Sequence, residues 1–217
     1  LMRGSSSASA PACTPRPAQP APTCAAGVAE AGRAPRAGPV VAAAVVLAPT
    51  HPIDGLTDSK LLSAKARTEL AREIRRNALA FGLGLAEPAE IDTINILQAS
   101  LCAMQRAVVR LELVPNLVLV DGNRLPLLIV AGQRLRAHAI VDGDLTEPCI
   151  SAASILAKVC RDRLMRRWHR RFPDYGFDRN KGYATAEHIA RLKRLGPCAI
   201  HRTSFAPVHD RQRQLFA

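Results

Sequence analysis

The sequence predicts an α/β fold, a sheet flanked by helices, and three observations predict it. Val40 to Leu47 is a continuous apolar run, the pattern of a strand covered on both faces. Ile91 to Val108 and Ile155 to Trp168 repeat apolar residues at helical spacing. Short apolar runs ending at Asp121 and near Asp142 alternate with these helical stretches, and strands alternating with helices make an α/β domain.

The elements follow from local signals. Residues 25–31 and 39–48 read as two strands joined by a glycine-rich turn, Gly32 to Gly38, that carries Arg33 and Arg36. Pro49, Pro52 and Gly55 break the chain, and Ser63 is the N-cap expected for a helix to about Ala80, with Ala66, Leu70, Ile74 and Ala78 on one stripe. Phe81 to Ala86 reads as a short strand. Pro88 stands in the first turn of a second helix, over Ile91, Ile94, Leu97, Leu101, Met104 and Val108. Residues 116–121 and 137–141 read as strands, with the intervening Leu125 to Arg136 irregular and basic. A third helix is expected from about Ser151 to Arg171, a basic glycine loop over Phe177 to Ala184, and a last helix from Thr185 to Leu195, stopped by Gly196-Pro197.

Composition narrows the function classes. Residues 1–26 hold five prolines, seven alanines and no acid, and read as a disordered extension or leader outside the fold. No apolar run reaches the ~18 residues of a membrane span, and no secretory signal is recognised, so a cytoplasmic chain is expected. Six cysteines fall without a C-x-x-C spacing, which argues against a zinc site or a disulfide framework. The formal net charge of +12 is concentrated in residues 158–217, which carry 15 basic and five acidic side chains. Residues 27–157 carry 13 of each. That segment reads either as the footprint of a polyanion, commonly nucleic acid, or as a solvated arginine-rich face.

Glu30, Asp121 and Asp144 stand where apolar strands stop and turns begin. Each taken singly also reads as an ordinary strand-end or turn residue. In an α/β sheet such ends can lie side by side, and ligands gather there. Clustered carboxylates repel unless a cation neutralises them, and oxygen-only ligands suit magnesium or manganese. Two such ions can activate a water and stabilise the leaving oxygen of a phosphodiester, so acidic strand ends beside a basic surface make a coherent nuclease design.

The motifs themselves resemble ribonuclease HII. They are Gly27-Val28-Ala29-Glu30-Ala31-Gly32-Arg33, Asp58-Ser59-Lys60, Asn95-Ile96-Leu97-Gln98-Ala99 and Val120-Asp121-Gly122-Asn123-Arg124, then Ile150 to Val159, Asn180-Lys181-Gly182-Tyr183 and His201-Arg202-Thr203-Ser204-Phe205. They run in order over residues 26–208. The resemblance implies a ribonuclease-H-like mixed sheet, with a catalytic core over 27–157 and a basic helical extension over 158–217 packed on it. It implies an endonuclease, dependent on Mn2+ or Mg2+, that acts on RNA–DNA hybrids and on ribonucleotide-containing duplex DNA; nothing in the sequence demands more than a monomer. By motif, the metal ligands and catalytic residues are Glu30, Asp121 and Asp144, with a fourth ligand at position 29. Gly32, Arg33 and Ala34 correspond to the turn that reads the ribose 2′-hydroxyl, Tyr183 to the tyrosine that stacks at the RNA–DNA junction, and Lys60 and Lys181 to phosphate contacts.

Three positions depart from the family pattern, Ala29, Ala34 and Asp142, the last standing where relatives often have a basic residue. The stretch between Asp121 and Asp144 is slightly long. Position 29 is alanine where the family has aspartate, so one metal ligand is lost, and Ala34 replaces the second turn glycine. A Cβ at 34 either forbids a positive φ or crowds the sugar. A substitute carboxylate is conceivable from Asp142, which on an extended backbone would share a face with Asp144; the competing reading is a solvated strand-end aspartate. Asp162 is expected to be an ion-pair partner, Trp168 and Phe172 to pack on each other, and His169, His188 and His201 to be surface or structural residues. The functional expectation is therefore an endonuclease; the alternatives are a metal-impaired relative that binds hybrid without efficient cutting and, more remotely, a basic nucleic-acid-packaging protein.

Overall fold

The computed structural model describes residues 24–208. Most of the stretch read as an extension, up to residue 23, lies outside them, as does the end of the basic segment from residue 209. Five strands form one sheet in the order β3-β2-β1-β4-β7. They are β1 (Ala25–Ala31), β2 (Val40–Leu47), β3 (Ala78–Ala86), β4 (Leu117–Asp121) and β7 (Ala137–Ile140). β2 is antiparallel to both β1 and β3, whereas β4 is parallel to β1 and to β7. The sheet is mixed, as expected from the resemblance, and β1 takes in Ala25 and Ala26.

Both faces are covered. Val40, Ala42 and Ala44 of β2 pack with helix α2 (Pro88–Val109), while Ala43 and Val45 pack on the other face with α1 (Ala64–Asn77) and α4 (Pro148–Arg171). This two-sided burial is why β2 reads as an unbroken apolar run. α4 lies very close to β1: a Cβ on Gly27 would stand 2.1 Å from the Cys149 carbonyl carbon. The later chain adds α5 (Phe177–Asn180) and α6 (Ala186–Leu195) around a smaller cluster of Ala37, Met165, Tyr175, Phe177 and Ile200. Trp168 and Phe172 stack beside it, ring centroids 6.1 Å apart, as expected.

Three helices differ in extent from expectation. α1 has its Ser63 cap, whose hydroxyl accepts from the Ala66 N–H at 3.1 Å, but it ends at Asn77 because Ala78 and Ala80 pair with Leu47 and Val46 of β2. Strand pairing there overrides the helical preference of alanine. α2 is two helices merged across Asn95 (φ 67°, ψ 164°). The third predicted helix, α4, starts earlier, at Pro148. Two loops also carry structure, namely α5 and a small hairpin of β5 (Ile129–Val130) and β6 (Gln133–Arg134). Between them lies α3 (Gly143–Thr146).

Candidate active site

β1, β4 and β7 are parallel, so their carboxyl ends share one edge of the sheet. Glu30 comes from the end of β1 and Asp121 is the last residue of β4. Asp144 sits in α3 directly after β7. The Asp121 carboxylate accepts from the Gly143 N–H at 3.2 Å, which draws α3 onto the end of β4. All three carboxylates line one cavity of about 210 Å³. A larger, mainly apolar cavity of about 620 Å³ at the opposite end of β1 contains none of the expected residues.

The electrostatics are those of crowded acids. Burial pushes Glu30 above the usual carboxylate range, with Arg33, 3.5 Å away, pulling it back and Asp121 adding to the rise. Burial likewise raises Asp121 against the lowering Gly143 hydrogen bond. Asp144 is pushed up to about 6, by burial first and then by Asp121 and Asp58. Lys60 answers this charge, its Nζ 3.8 Å from Asp144 and 3.5 Å from Asp58. The loop that carries it is tied to α4 by the Ser154–Ser59 hydroxyl bond at 2.9 Å.

A hard divalent cation suits this donor set, which is all oxygen and disfavoured while uncompensated. The Ser100 hydroxyl, buried and without a partner, lines the same cavity and adds another oxygen. The fit is incomplete at one point. Among the described residues no three acidic, histidine or cysteine side chains close around a common centre. Val28 pairs with Val120, so one step further along the register Ala29 stands beside Asp121 and contributes only a methyl group. It is fully buried against the α4 side of the sheet.

Asp142 lines the cavity too, but not as expected. Its backbone is left-handed (φ 53°, ψ 34°) and Asp144 is already helical, so the extended geometry that would align the two side chains is absent. The tight turn into α3 replaces it.

Gly32, Arg33, Ala34, Lys60 and Tyr183 surround an adjoining cavity of about 280 Å³ that also reaches the three carboxylates. Gly32 needs its glycine: φ is +101° and a Cβ would meet the Arg161 Nε at 2.1 Å. Ala34 is not among the residues with positive φ, so its Cβ carries no left-handed strain. Tyr183 is exposed, with Lys158 and Arg161 5.8 and 5.9 Å from its ring centre. Lys181 lies outside both cavities, in a groove between α1 and α4. Asp162 pairs with Lys158 at 2.9 Å, as expected.

Two residues that hold this turn were not singled out from sequence. Arg202, fully buried, donates to the carbonyls of Gly32, Arg33, Pro35 and Gly38 at 2.6–2.9 Å. Arg161, also fully buried, donates to Ala37, Pro39 and Lys181 at 3.0 Å each. Burial draws their pKa values down to about 9 and about 10, respectively. Neither has a carboxylate partner among the described residues.

The comparisons with known proteins show the family. The family model described as ribonuclease HII matches residues 26–208. The chain belongs to the ribonuclease HII family. The ribonuclease HII of Maricaulis maris is 60% identical over 183 residues, covering 84% of this chain and 82% of that protein. That of Idiomarina loihiensis is 55% identical over 182 residues, covering 84% and 95%. The ribonuclease H2 structure from Pyrococcus horikoshii OT3 superposes with a TM-score of 0.71 at 27% identity, covering 88% and 98% of the two chains. Bst-RNase HIII in complex with Mn2+ shares the fold at a TM-score of 0.73 and 18% identity, covering 88% and 70%. As a ribonuclease HII, the chain is a metal-dependent endonuclease of RNA–DNA hybrids. No described helix is long and apolar enough to cross a membrane.

Proposed function

We propose that the cavity bounded by Glu30, Asp121 and Asp144 is the hydrolytic centre, cutting both the RNA strand of hybrids and single ribonucleotides embedded in duplex DNA. The observation that carries this reading is that three acids from β1, β4 and α3 line one cavity, which opens onto the Gly32–Ala34 turn and Tyr183. A divalent ion held there, Mg2+ or Mn2+, supplies an activated water and charge compensation for the leaving oxygen. The protein supplies position. Gly143 fixes the Asp121 carboxylate, and Lys60 stands over Asp144, within reach of an incoming phosphate. Arg202 and Arg161 clamp the turn from beneath, so that Gly32, Arg33 and Ala34 meet the ribose as a rigid edge; the 2′-hydroxyl is the group that separates RNA from DNA. Tyr183 offers an exposed ring for stacking at the RNA–DNA junction. Lys181 contacts phosphate beyond it.

Membership of the family does not favour the alternative of a binder that does not cut. The test is cleavage of a duplex with one ribonucleotide. The expected products end in a 3′-hydroxyl and a 5′-phosphate, and Asp121→Asn slows the reaction at least about 100-fold, roughly 2.7 kcal/mol. Cleavage by Asp121→Asn at the parent rate contradicts the assignment.

A further inference from the structure

The basic groove between α1 and α4 shares no lining residue with the hydrolytic cavity, yet Lys158, which lines the cavity beside Tyr183, pairs with the groove's Asp162. It holds about 280 Å³ and is lined by Lys65, Arg67, Thr68, Asp162, Arg166 and Lys181, among others. Its one acid is already spent, because Asp162 pairs with Lys158 at 2.9 Å. None of Lys65, Arg67, Arg166 and Lys181 forms a salt bridge among the described residues. Four cations thus face one concavity with no free counter-charge.

They are also of two kinds. Arg67 and Lys181 are anchored: Arg67 donates to the Ser59 carbonyl at 2.7 Å and to that of Leu62, and Lys181 donates to the Asp178 carbonyl. Burial, with help from the Arg166 and Lys158 charges, holds Lys181 below the usual lysine range against the pull of Asp162 and Asp178. Lys65 and Arg166 are exposed. A fixed floor with two exposed arms, Arg166 held only through its Nε on the Asp162 carbonyl at 3.3 Å, suits an anion that arrives from solvent.

We infer that this groove is a second phosphate site, gripping the backbone of the bound duplex away from the bond that is cut. The inference rests on the proposed hydrolytic centre, because it takes its distance from there. Lys158 lines the cavity beside Tyr183, and Arg166 lies two helical turns further along α4. Eight residues at about 1.5 Å each span about 12 Å, or roughly three to four base-pair steps at about 3.4 Å. A phosphodiester contact there carries no base information. It makes the enzyme sensitive to how far the duplex extends on one side of the ribonucleotide.

The experiment uses duplexes with one ribonucleotide placed two or eight base pairs from either end, cut by the parent and by the Lys65→Ala/Arg166→Ala double variant. On substrates that reach the groove, the variant is expected to raise KM about tenfold with kcat unchanged, and to lower the slope of log affinity against log salt by about two. On substrates cut short on that side, parent and variant should be equal. An equal KM on every substrate, or a loss that ignores duplex length, overturns the site. Fluorescence anisotropy without added metal reads the same length dependence in binding. A parent that fails to cut but shows that dependence therefore counts against the hydrolytic reading and not against the groove.

Discussion

His201 is the middle of a hydrogen-bond chain whose proton positions the geometry fixes. The Cys198 N–H donates to its Nδ1 at 2.9 Å, so its own proton is on Nε2, facing the His188 Nε2 at 3.1 Å. His188 then carries its proton on Nδ1 and donates to the Tyr183 carbonyl at 2.8 Å. Both rings must be neutral, and burial, with His188 alongside, depresses His201 to about 4. An unfolded histidine titrates near 6.5. Between about pH 6.5 and 4 the unfolded chain therefore takes up a proton that the folded one refuses, and stability is lost as pH falls through that window. Nitrogen NMR at pH 6 is expected to show His201 neutral with its proton on Nε2; an imidazolium signal titrating near 6.5 contradicts this. The sequence reads these histidines as surface or structural residues; the structure buries both, and nothing local reveals a pairing across 13 residues. Arg161 and Arg202 were less legible still. Arg202 stands in a family motif and both fall in the basic segment, which reads as a polyanion footprint or a solvated face, yet both are buried on carbonyls supplied by a turn more than 120 residues earlier. Arginine has no local signature that separates the two fates.

At the scale of elements, strands and helix starts were readable because their signals are local: the apolar run of β2, the Ser63 cap of α1 and the proline that opens α2. Helix ends were not, since β2 decides where α1 stops. Asn95 shows the same limit inside a helix, where even apolar spacing predicted one continuous rod. Instead its side-chain oxygen accepts from the N–H groups of Leu97 and Gln98 at 3.0 and 3.1 Å and restarts α2 after a left-handed break. That restart aims Leu97, Ser100, Leu101 and Met104 at the acidic cavity. Asn95→Ala removes the cap and the short polar side chain that tolerates φ 67° better than alanine does, so a loss of about 1–2 kcal/mol is expected by urea denaturation. A change below about 0.3 kcal/mol would mean the break is held from elsewhere. Asp142 followed the same pattern: an extended strand end was expected, and a left-handed turn into α3 stands in its place, with Asp142 and Asp144 both lining the cavity.

In the whole molecule, residues 158–208 are interlocked with the core. α4 crosses position 157 without a break, Ala37 bridges to His201, and Arg36 and Gly38 donate to the carbonyls of Gly182 and Ile200 at 2.7 and 2.8 Å. One cooperative unfolding transition is expected, coincident in circular dichroism and Trp168 fluorescence; two separated transitions would show that 158–208 folds as its own unit. The family and the strand-end acids were legible from sequence because motif order and turn chemistry are written locally. What the motifs could not convey is that the parallel register of β1 and β4 pairs Val28 with Val120, one step before Ala29 and Asp121. The most direct test of the strand-end acids as the hydrolytic centre is the cleavage rate of a single-ribonucleotide duplex in Mn2+ by the parent chain and by Ala29→Asp. The added carboxylate should raise the rate at least about tenfold, roughly 1.4 kcal/mol. Equal rates in the two proteins would place position 29 outside the metal site and contradict the account.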